Sequence, residues 1–391
     1  MMRIVVAGGG IGGLAVALRL AQHGLAVHVL ERASEFGEIG AGIQLAPNAS
    51  WALERLGVLA DVHAFAVFPE RIRWMDAISG AQLTELDLGR RFRARYGFAY
   101  VVMHRSDLLA VLLRACRADA RVTLDTNKVV TAVDDCGDTV AVTCADGTRY
   151  EADVLIGADG LRSVVRATVV GDGEPVCSAY VAYRGAIPIG EIDTRAGLDT
   201  VMLWTGPQMH LVQYPVRRGE LYNQVAVFRS DRYRPDADDW GTPDELDARF
   251  AAGTAAVHAA LRTIKRDRRW PMFDRVPIGC WTSNRITLLG DAAHPMLQYL
   301  AQGACQALED AIVLADALAA GDDDPGAAFA AYERERVDRT ARVQTLARAW
   351  GDYWHLDPGP ERAARDLHLA RREPADFRDT DGFYAYRGAS G

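Results

Sequence analysis

The sequence predicts a mixed α/β fold in which a parallel sheet with helices is interrupted by an antiparallel sheet and followed by a helical region. Residues 3–31 read as a β-branched run, a glycine loop, a helical stretch and a second β-branched run. Residues 177–230 contain alternating strand-like segments without helix-length runs, whereas apolar residues recur at helical spacing over 302–320 and 327–354. A period of two is typical of strands and a period of 3.6 of helices.

Three separate segments are expected to supply strands of the parallel sheet. Besides residues 3–31, the segments 154–160 and 286–291 are short apolar runs that end in glycine and aspartate. Continuous apolar runs are typical of strands that are covered on both faces. The charged, glycine-rich tail after Asp357 is expected to be partly disordered.

Composition and charge narrow the possible functions. The 391 residues carry a formal net charge of −8 without any basic block, which argues against nucleic acid as a partner. Six cysteines occur without a Cys-x-x-Cys pair, so no metal site or redox disulfide is expected, and a reducing cytoplasm fits best. The chain has neither the pattern of a signal peptide nor the roughly 18 apolar residues of a transmembrane helix.

A glycine fingerprint follows the first predicted strand. Gly8, Gly10 and Gly13 form a G-x-G-x-x-G pattern between this strand and a helix. The first glycine permits a tight turn, the second lets the backbone approach a pyrophosphate, and the third lets the helix pack on the strand. Glu31 ends the second strand 18 residues after Gly13, where a carboxylate can accept hydrogen bonds from ribose hydroxyls. The segment predicts a Rossmann-like dinucleotide site.

Two further motifs distinguish a flavoprotein from a nicotinamide dehydrogenase. Residues 157–163 read Gly-Ala-Asp-Gly-Leu-Arg-Ser, and residues 290–295 read Gly-Asp-Ala-Ala-His-Pro. In order and spacing they resemble the second and third signatures of the flavoprotein monooxygenases related to 4-hydroxybenzoate hydroxylase, and the resemblance extends to about residue 355. It implies a Rossmann-like FAD-binding domain at 1–176 and 270–320, an inserted antiparallel substrate-binding domain at 177–269, and a C-terminal helical region at 321–391.

The resemblance also implies non-covalent FAD, with NADH or NADPH as co-substrate. Asp159 is expected to serve both cofactors and Asp291 to hold the ribityl chain. A helix that begins near residues 302–304 would turn its positive end toward the flavin pyrimidine, where hydride transfer places negative charge. The residues expected to bind FAD are Gly8, Gly10, Gly13, Glu31, Arg32, Arg105, Val130, Asp159, Asp291, Pro295, Gly303 and Ala304.

Several stretches resemble the members of this family that hydroxylate 3-hydroxybenzoate. Gln298 stands where salicylate-hydroxylating members usually have proline, which favours 3-hydroxybenzoate as the substrate. The resemblance also implies a homodimer. The matching stretches are residues 36–42, 182–185, 210–215, 270–275 and 297–300.

The strand at residues 210–214 carries the candidate catalytic side chains. Alternation places His210 and Tyr214 on one face, about 13 Å apart at roughly 3.3 Å per residue, so that they could flank one aromatic ligand. The resemblance implies that His210, Tyr214 and Gln298 line the substrate pocket near the phenolic hydroxyl. Read without it, His210 and Tyr214 are also compatible with an ordinary buried strand. Arg184 is a candidate for the substrate carboxylate, although no single arginine stands out.

The implied reaction is reduction of FAD by NADH or NADPH, capture of O₂ as a flavin C4a-hydroperoxide, and transfer of its distal oxygen to the ring. A phenol with a pKa near 10 costs on the order of 4 kcal/mol to ionise at pH 7, so groups that share its proton favour the reaction. Attack para to the hydroxyl of 3-hydroxybenzoate gives gentisate, 2,5-dihydroxybenzoate.

Other functions remain open at this point. The alternatives are hydroxylation of salicylate or of another small phenolic or N-heteroaromatic acid, and a non-catalytic FAD-binding scaffold. A scaffold would leave Tyr214 and Gln298 unexplained. A flavin-dependent disulfide reductase is disfavoured because it needs paired cysteines, and a flavin-dependent halogenase because its tryptophan signature is missing from the sequence.

Overall fold

The computed structural model describes residues 2–37, 41–192, 197–321 and 324–388. The strands in these ranges are β1 (Ile4–Ala7), β2 (Val27–Leu30), β3 (Gly42–Leu45), β4 (Arg71–Asp76), β5 (Gln82–Asp87), β6 (Val101–His104), β7 (Val122–Asp125), β8 (Val130–Asp135), β9 (Val140–Cys144), β10 (Arg149–Ala152), β11 (Val154–Gly157), β12 (Val176–Pro188), β13 (Thr200–Gly206), β14 (Met209–Val216), β15 (Leu221–Arg229), β16 (Trp270–Asp274), β17 (Thr282–Ser283) and β18 (Ile286–Leu288). The helices are α1 (Ile11–Gln22), α2 (Pro47–Arg55), α3 (Leu59–His63), α4 (Arg90–Tyr96), α5 (Arg105–Ala118), α6 (Val164–Val169), α7 (Pro243–Arg249), α8 (Ala255–Thr263), α9 (Gly303–Ala320), α10 (Pro325–Trp354), α11 (Pro360–Ala370) and α12 (Arg378–Tyr384).

The mostly parallel sheet has the strand order β17-β18-β11-β1-β2-β7. The strand β1 pairs in parallel with both β11 and β2, and β11 pairs in parallel with β18. The three segments predicted from their apolar runs therefore lie side by side, and the predicted mixed α/β fold class is confirmed. All residues of β1 and β11 are buried, as expected for strands covered on both faces.

A second sheet has the order β16-β12-β15-β14-β13-β4-β5. The strands from β12 to β15 pair antiparallel, as predicted, but β13 pairs in parallel with β4. Residues 71–87, placed in the FAD-binding domain from the sequence, thus belong to this sheet. The reason is that β4 satisfies the backbone groups on the open edge of β13 across 129 sequence positions, from Arg71 to Thr200. The exact domain boundaries remain a prediction.

The chain enters the inserted strands at β12 and leaves them after β16, and the two crossings lie close to Asp172. Asp172, just before the sheet, accepts hydrogen bonds from Arg166 at 2.6 Å and from Arg275 at 3.0 Å. Arg166 lies before the inserted strands and Arg275 follows β16. Both guanidinium groups are buried, and the hydrogen bonds from Arg166 are the main cause that holds the pKa of Asp172 below its usual value. These ion pairs therefore fix the junction between the FAD-binding portion and the inserted strands.

The segment after Asp357 forms α11 and α12, so the expectation of partial disorder is wrong for residues through 388. These helices have apolar residues to bury: Leu369, Phe377 and Tyr384 are all at most 7% exposed. The ring of Phe377 packs edge-on against Phe92 with centroids 5.6 Å apart. Burial of such side chains stabilises a segment whose overall charge and glycine content hide its apolar face.

A buried ion cluster joins α9 to α10. Arg336 is fully buried, and its guanidinium pairs with Glu309 and, at 2.7 Å, with Asp310.

None of the helices in the described ranges combines the length and hydropathy needed to cross a bilayer.

Candidate active site

A cavity of about 640 Å³ lies between the parallel sheet and the seven-stranded sheet. Its walls come from the glycine loop, from the segments around the second and third motifs, from the face of β14, and from the C-terminal helices. Residues that line it include Gly10, Ala158, Asp291, Gly303, Trp74, His210, Tyr214, Gln298, Trp350 and Tyr384. The dinucleotide motifs and the candidate catalytic strand thus open into one continuous space.

The glycine loop has the geometry that its pattern predicts. Gly8 has a φ of +109°, and a Cβ there would lie 2.3 Å from the carbonyl oxygen of Ala158. A Cβ on Gly13 would lie 1.9 Å from the carbonyl oxygen of Gly8. A Cβ on Gly10 would instead meet nothing within 4 Å, and Gly10 lines the cavity. The space in front of Gly10 therefore fits a group, such as a pyrophosphate, that approaches the backbone closely.

Glu31 fixes the glycine loop from behind. Its Oε2 accepts a hydrogen bond from the backbone N–H of Gly9 at 2.8 Å, and its Oε1 accepts one from Ala33 at 2.8 Å. Arg32 is exposed and Val130 is half-buried at the start of β8. Gly8, Gly13, Glu31, Arg32 and Val130 do not belong to the cavity lining, and their roles in FAD binding stay predictions.

The second motif supports α6 and does not face the cavity through its aspartate. Asp159 accepts hydrogen bonds from the hydroxyl of Ser163 at 2.5 Å and from the backbone N–H groups of Val164 at 2.8 Å and Val165 at 3.3 Å. Burial raises the pKa of Asp159, and these hydrogen bonds oppose the rise. The neighbours Ala158 and Gly160 do line the cavity. Contact of Asp159 with FAD or NAD(P)H stays a prediction.

Arg166 connects the second motif to the third. It lies on α6, is fully buried, and donates hydrogen bonds to the carbonyl oxygens of Ala292 at 3.0 Å and Ala293 at 2.7 Å. Asp159 holds the start of α6, and Arg166 on the same helix holds the loop that presents Asp291. The two signatures form one supported unit.

The loop of the third motif is also held by α9. His294 shares a hydrogen bond of 2.5 Å with Asp310, which also accepts from the backbone N–H of Gly290 at 3.1 Å. Burial raises the pKa of Asp310, but His294 and Arg336 outweigh burial and lower it to about 2. Asp310 is therefore a carboxylate at neutral pH, and it orients the loop without facing the cavity.

Asp291 and the start of α9 do face the cavity. The helix begins at Gly303, as predicted, and its first turn carries no acidic side chain. A Cβ on Gly303 would lie 3.9 Å from Oδ1 of Asp291, and both residues line the cavity together with Ala304 and Arg105. Pro295 is buried away from it, and its carbonyl accepts a hydrogen bond from Gln344 at 3.0 Å. The positive end of α9 therefore points at the space that the glycine loop leaves open.

His210 lies at the substrate end of the cavity in a pair of histidines. Its Nδ1 is 2.8 Å from Nε2 of His355, and its Nε2 is 3.5 Å from Nε2 of Gln298. Burial, and next the proximity of His355, lowers the pKa of His210 well below its ordinary value. His210 is therefore neutral at physiological pH. Sequence reasoning missed His355, because it lies 145 residues from His210 at the end of a long helix.

Tyr214 lines the same cavity, as alternation along β14 predicts. Burial raises the pKa of its hydroxyl well above the ordinary value, while the charge of Arg184 and a hydrogen bond with Gln44 oppose the rise. Tyr100 also donates to Oε1 of Gln44, at 2.8 Å. Arg184 lines the cavity with its guanidinium 4.0 Å from the ring centroid of Trp270. Tyr214 is therefore neutral and close to a positive charge.

Aromatic rings complete the substrate end. Trp74 packs against Trp354 with centroids 6.0 Å apart, and Trp354 packs edge-on against His210 at 5.2 Å. Tyr299 lies 5.5 Å from His210. A cavity walled by rings with few polar groups suits a small aromatic ligand.

Of the predicted stretch 36–42, residues 38–40 lie outside the described ranges.

Comparison with known proteins shows which family the chain belongs to. The family model described as FAD binding domain matches residues 1–347. The chain is 40% identical to 3-hydroxybenzoate 6-hydroxylase of Klebsiella oxytoca over 99% of this chain and 97% of that protein, and 38% identical to 3-amino-4-hydroxybenzoate 2-monooxygenase PtnB3 of Streptomyces platensis over 96% and 94%. A solved structure of a variant of HpxO from Klebsiella pneumoniae, complexed with FAD, matches with a TM-score of 0.87 at 27% identity over 100% of both chains. The chain belongs to the FAD-binding domain family and, within it, to the FAD-dependent aromatic hydroxylases.

Proposed function

We propose that this enzyme hydroxylates 3-hydroxybenzoate para to its hydroxyl group and forms gentisate, with NADH or NADPH as the electron donor and O₂ as the oxygen source. The observation that carries the proposal is the buried, neutral His210 beside Gln298 at the aromatic end of the cavity. The similarity to 3-hydroxybenzoate 6-hydroxylase over nearly the whole chain supports it.

The FAD would lie along the glycine loop and the start of α9. Gly10 would accept the pyrophosphate, Asp291 the ribityl hydroxyls, and Gly303 and Ala304 the flavin pyrimidine, with Arg105 on the same wall. Gly8, Gly13, Glu31, Asp159 and Pro295 would shape these contacts from behind, and Arg32 and Val130 would meet the adenosine half. When bound, FAD supplies hydride acceptance and oxygen transfer.

His210 and Gln298 would hold the phenolic hydroxyl of the substrate. A neutral histidine can accept a hydrogen bond from the phenolic hydroxyl at Nε2, and the Gln298 amide, which faces that nitrogen in the structure, can turn to donate to the phenolic oxygen. Ionising the phenol costs on the order of 4 kcal/mol at pH 7. A hydrogen bond to a charged group contributes about 1.5–3 kcal/mol, so donation from the Gln298 amide to the developing phenolate would offset part of this cost.

Tyr214 and Arg184 would hold the rest of the substrate. Because burial keeps the Tyr214 hydroxyl protonated, it can donate a hydrogen bond to a substrate oxygen. The charge of Arg184 acts on Tyr214, so a carboxylate placed between them would meet both a donor and a cation. Held at both ends, the ring would present one carbon for oxygen transfer, and that geometry is sensitive at the ångström scale.

The test is product identification from a panel of hydroxybenzoates. The FAD-loaded enzyme with NADH and O₂ is expected to convert 3-hydroxybenzoate to gentisate, measured by chromatography against standards. Catechol and CO₂ from salicylate, without gentisate from 3-hydroxybenzoate, would assign the enzyme to salicylate instead. NADH oxidation that no phenolic acid stimulates would favour a non-catalytic FAD scaffold.

We further infer that the enzyme works in the cytoplasm as a homodimer. All six cysteines are free thiols in the structure, which agrees with a reducing compartment. The dimer rests on the family resemblance. Sedimentation equilibrium of the FAD-loaded enzyme is expected to give twice the chain mass of 42.6 kDa, and a mass equal to one chain would contradict the dimer.

A further inference from the structure

We propose that His355 is a positioning residue for His210: it accepts the Nδ1–H of His210 and thereby leaves Nε2 of His210 unprotonated toward the substrate. The inference rests on the proposed function, in which Nε2 of His210 accepts a hydrogen bond from the phenolic hydroxyl. It assigns a role to a side chain outside the predicted catalytic set.

The geometry of the pair fixes which nitrogens meet. Nδ1 of His210 and Nε2 of His355 are 2.8 Å apart, and the rings are inclined by only 22°. The ring of His355 also stacks on Tyr180 with centroids 4.7 Å apart and planes inclined by 18°. The backbone carbonyl of His355 accepts a hydrogen bond from Gln208 at 3.1 Å, in the turn that leads into β14. His355 is therefore held in the orientation that presents Nε2 to His210.

The neighbours of His355 favour its neutral form. Both histidines are at most 4% exposed. Burial, and next the charge of Arg365, lowers the pKa of His355 to about 3. Arg365 is fixed beside it by hydrogen bonds to the carbonyl oxygens of Tyr353 and Trp354, each at 3.0 Å. A neutral ring has one bare nitrogen, which can accept a hydrogen bond from the Nδ1–H of His210.

Gln298 selects the direction of the hydrogen bond between the histidines. Its amide nitrogen, a donor, is the atom that faces Nε2 of His210 at 3.5 Å. A neutral His210 that accepts at Nε2 must carry its proton on Nδ1, so Nε2 of His355 is the acceptor. The other proton of the pair then sits on Nδ1 of His355, a buried atom without a hydrogen-bond partner among the described residues. Without His355, the Nδ1–H of His210 loses its acceptor, and the opposite tautomer, which places a proton on Nε2, becomes competitive.

Substitution of His355 tests the proposal in the FAD-loaded enzyme. His355→Phe keeps an aromatic ring but offers no acceptor, whereas His355→Gln offers a carbonyl oxygen. We expect His355→Phe to lower kcat for gentisate about tenfold and to divert NADH oxidation to hydrogen peroxide, with KM for 3-hydroxybenzoate and FAD content within twofold of wild type. His355→Gln should recover at least a third of the coupled turnover. Tyr180→Phe, which keeps the ring stacked on His355, is the matched control and should stay coupled.

A measurement that does not depend on turnover is the ¹⁵N NMR spectrum of histidine-labelled, FAD-loaded protein. The resonances of His210, assigned by their loss in His210→Asn, should show a protonated Nδ1 and a bare Nε2 in wild type, and a larger share of the other tautomer in His355→Phe. A protonated Nε2 in wild type, or wild-type coupling in His355→Phe, would overturn the proposal. If wild-type enzyme hydroxylates no hydroxybenzoate, the proposed function fails, while the tautomer spectrum still decides the role of His355.

Discussion

Acidification should destabilise this protein through its buried histidines before the carboxylates titrate. The pKa of His355 is lowered from 6.5 to about 3 in the folded chain. As the pH falls below 6.5, the unfolded chain takes up a proton that the folded chain refuses, so the free energy of unfolding falls until the pH reaches the folded pKa. At pH 5.5 this loss is about 1 kcal/mol for His355 alone. His210, whose pKa is also lowered by burial, adds a loss of the same sign.

The assay is urea unfolding at pH 7.5 and pH 5.5 with the same excess of FAD. We expect the wild-type free energy of unfolding to fall between these pH values, and the fall in His355→Gln to be smaller by about 1 kcal/mol. Tyr180→Phe alters the same stack without removing a group that titrates in this range, because the pKa of Tyr180 is about 12, and should fall as wild type does. If His355→Gln loses as much stability as wild type, His355 is not buried in its neutral form.

Four other substitutions test the remaining features. Gly10→Ala should keep the melting temperature and weaken FAD binding, whereas Gly13→Ala should destabilise the fold, because its Cβ would lie 1.9 Å from a carbonyl oxygen of the loop. FAD titration and thermal unfolding check both substitutions. Unchanged FAD affinity in Gly10→Ala would refute the argument that the space in front of Gly10 receives the pyrophosphate. Arg336→Met should lower the free energy of unfolding in urea by about 3 kcal/mol, because Glu309 and Asp310 lose the buried cation between them and keep only Arg339 and His294 as partners. His210→Ala should slow hydroxylation about 10²-fold while flavin reduction, followed by stopped-flow absorbance, suffers less; normal coupled turnover would make His210 a packing residue.

Local patterns carried the prediction of the cofactor side. The glycine loop, the buried strands β1, β11 and β18, and the start of α9 at Gly303 each depend on residues within about ten positions of each other. Period-two alternation was likewise sufficient to place His210 and Tyr214 on the cavity face of β14, since it needs no knowledge of what packs there.

Two of the features that the sequence did not reveal depend on distant contacts. The parallel pairing of β4 with β13 and the pairing of His210 with His355 join segments that are more than a hundred positions apart. The role of Asp159 as the support of α6 rests on nearby residues, but it is hidden because the same Gly-Ala-Asp-Gly pattern also fits an aspartate that faces a ligand. In the C-terminal tail, charge and glycine outweighed a few apolar residues that tertiary packing uses.

The ion pairs of Asp172 with Arg166 and Arg275 make it simpler to exchange the inserted strands between related enzymes. Arg166 and Arg275 flank the inserted strands, and both bind Asp172. If the chain is cut just after Asp172 and just before Arg275, all three residues stay with the FAD-binding portion and keep their ion pairs. A substrate sheet from another relative could be exchanged as a cassette that runs from the start of β12 at Val176 to the end of β16 at Asp274, without touching these arginines. The strands β4 and β5 would have to travel with it, because they complete the same sheet from an earlier part of the chain.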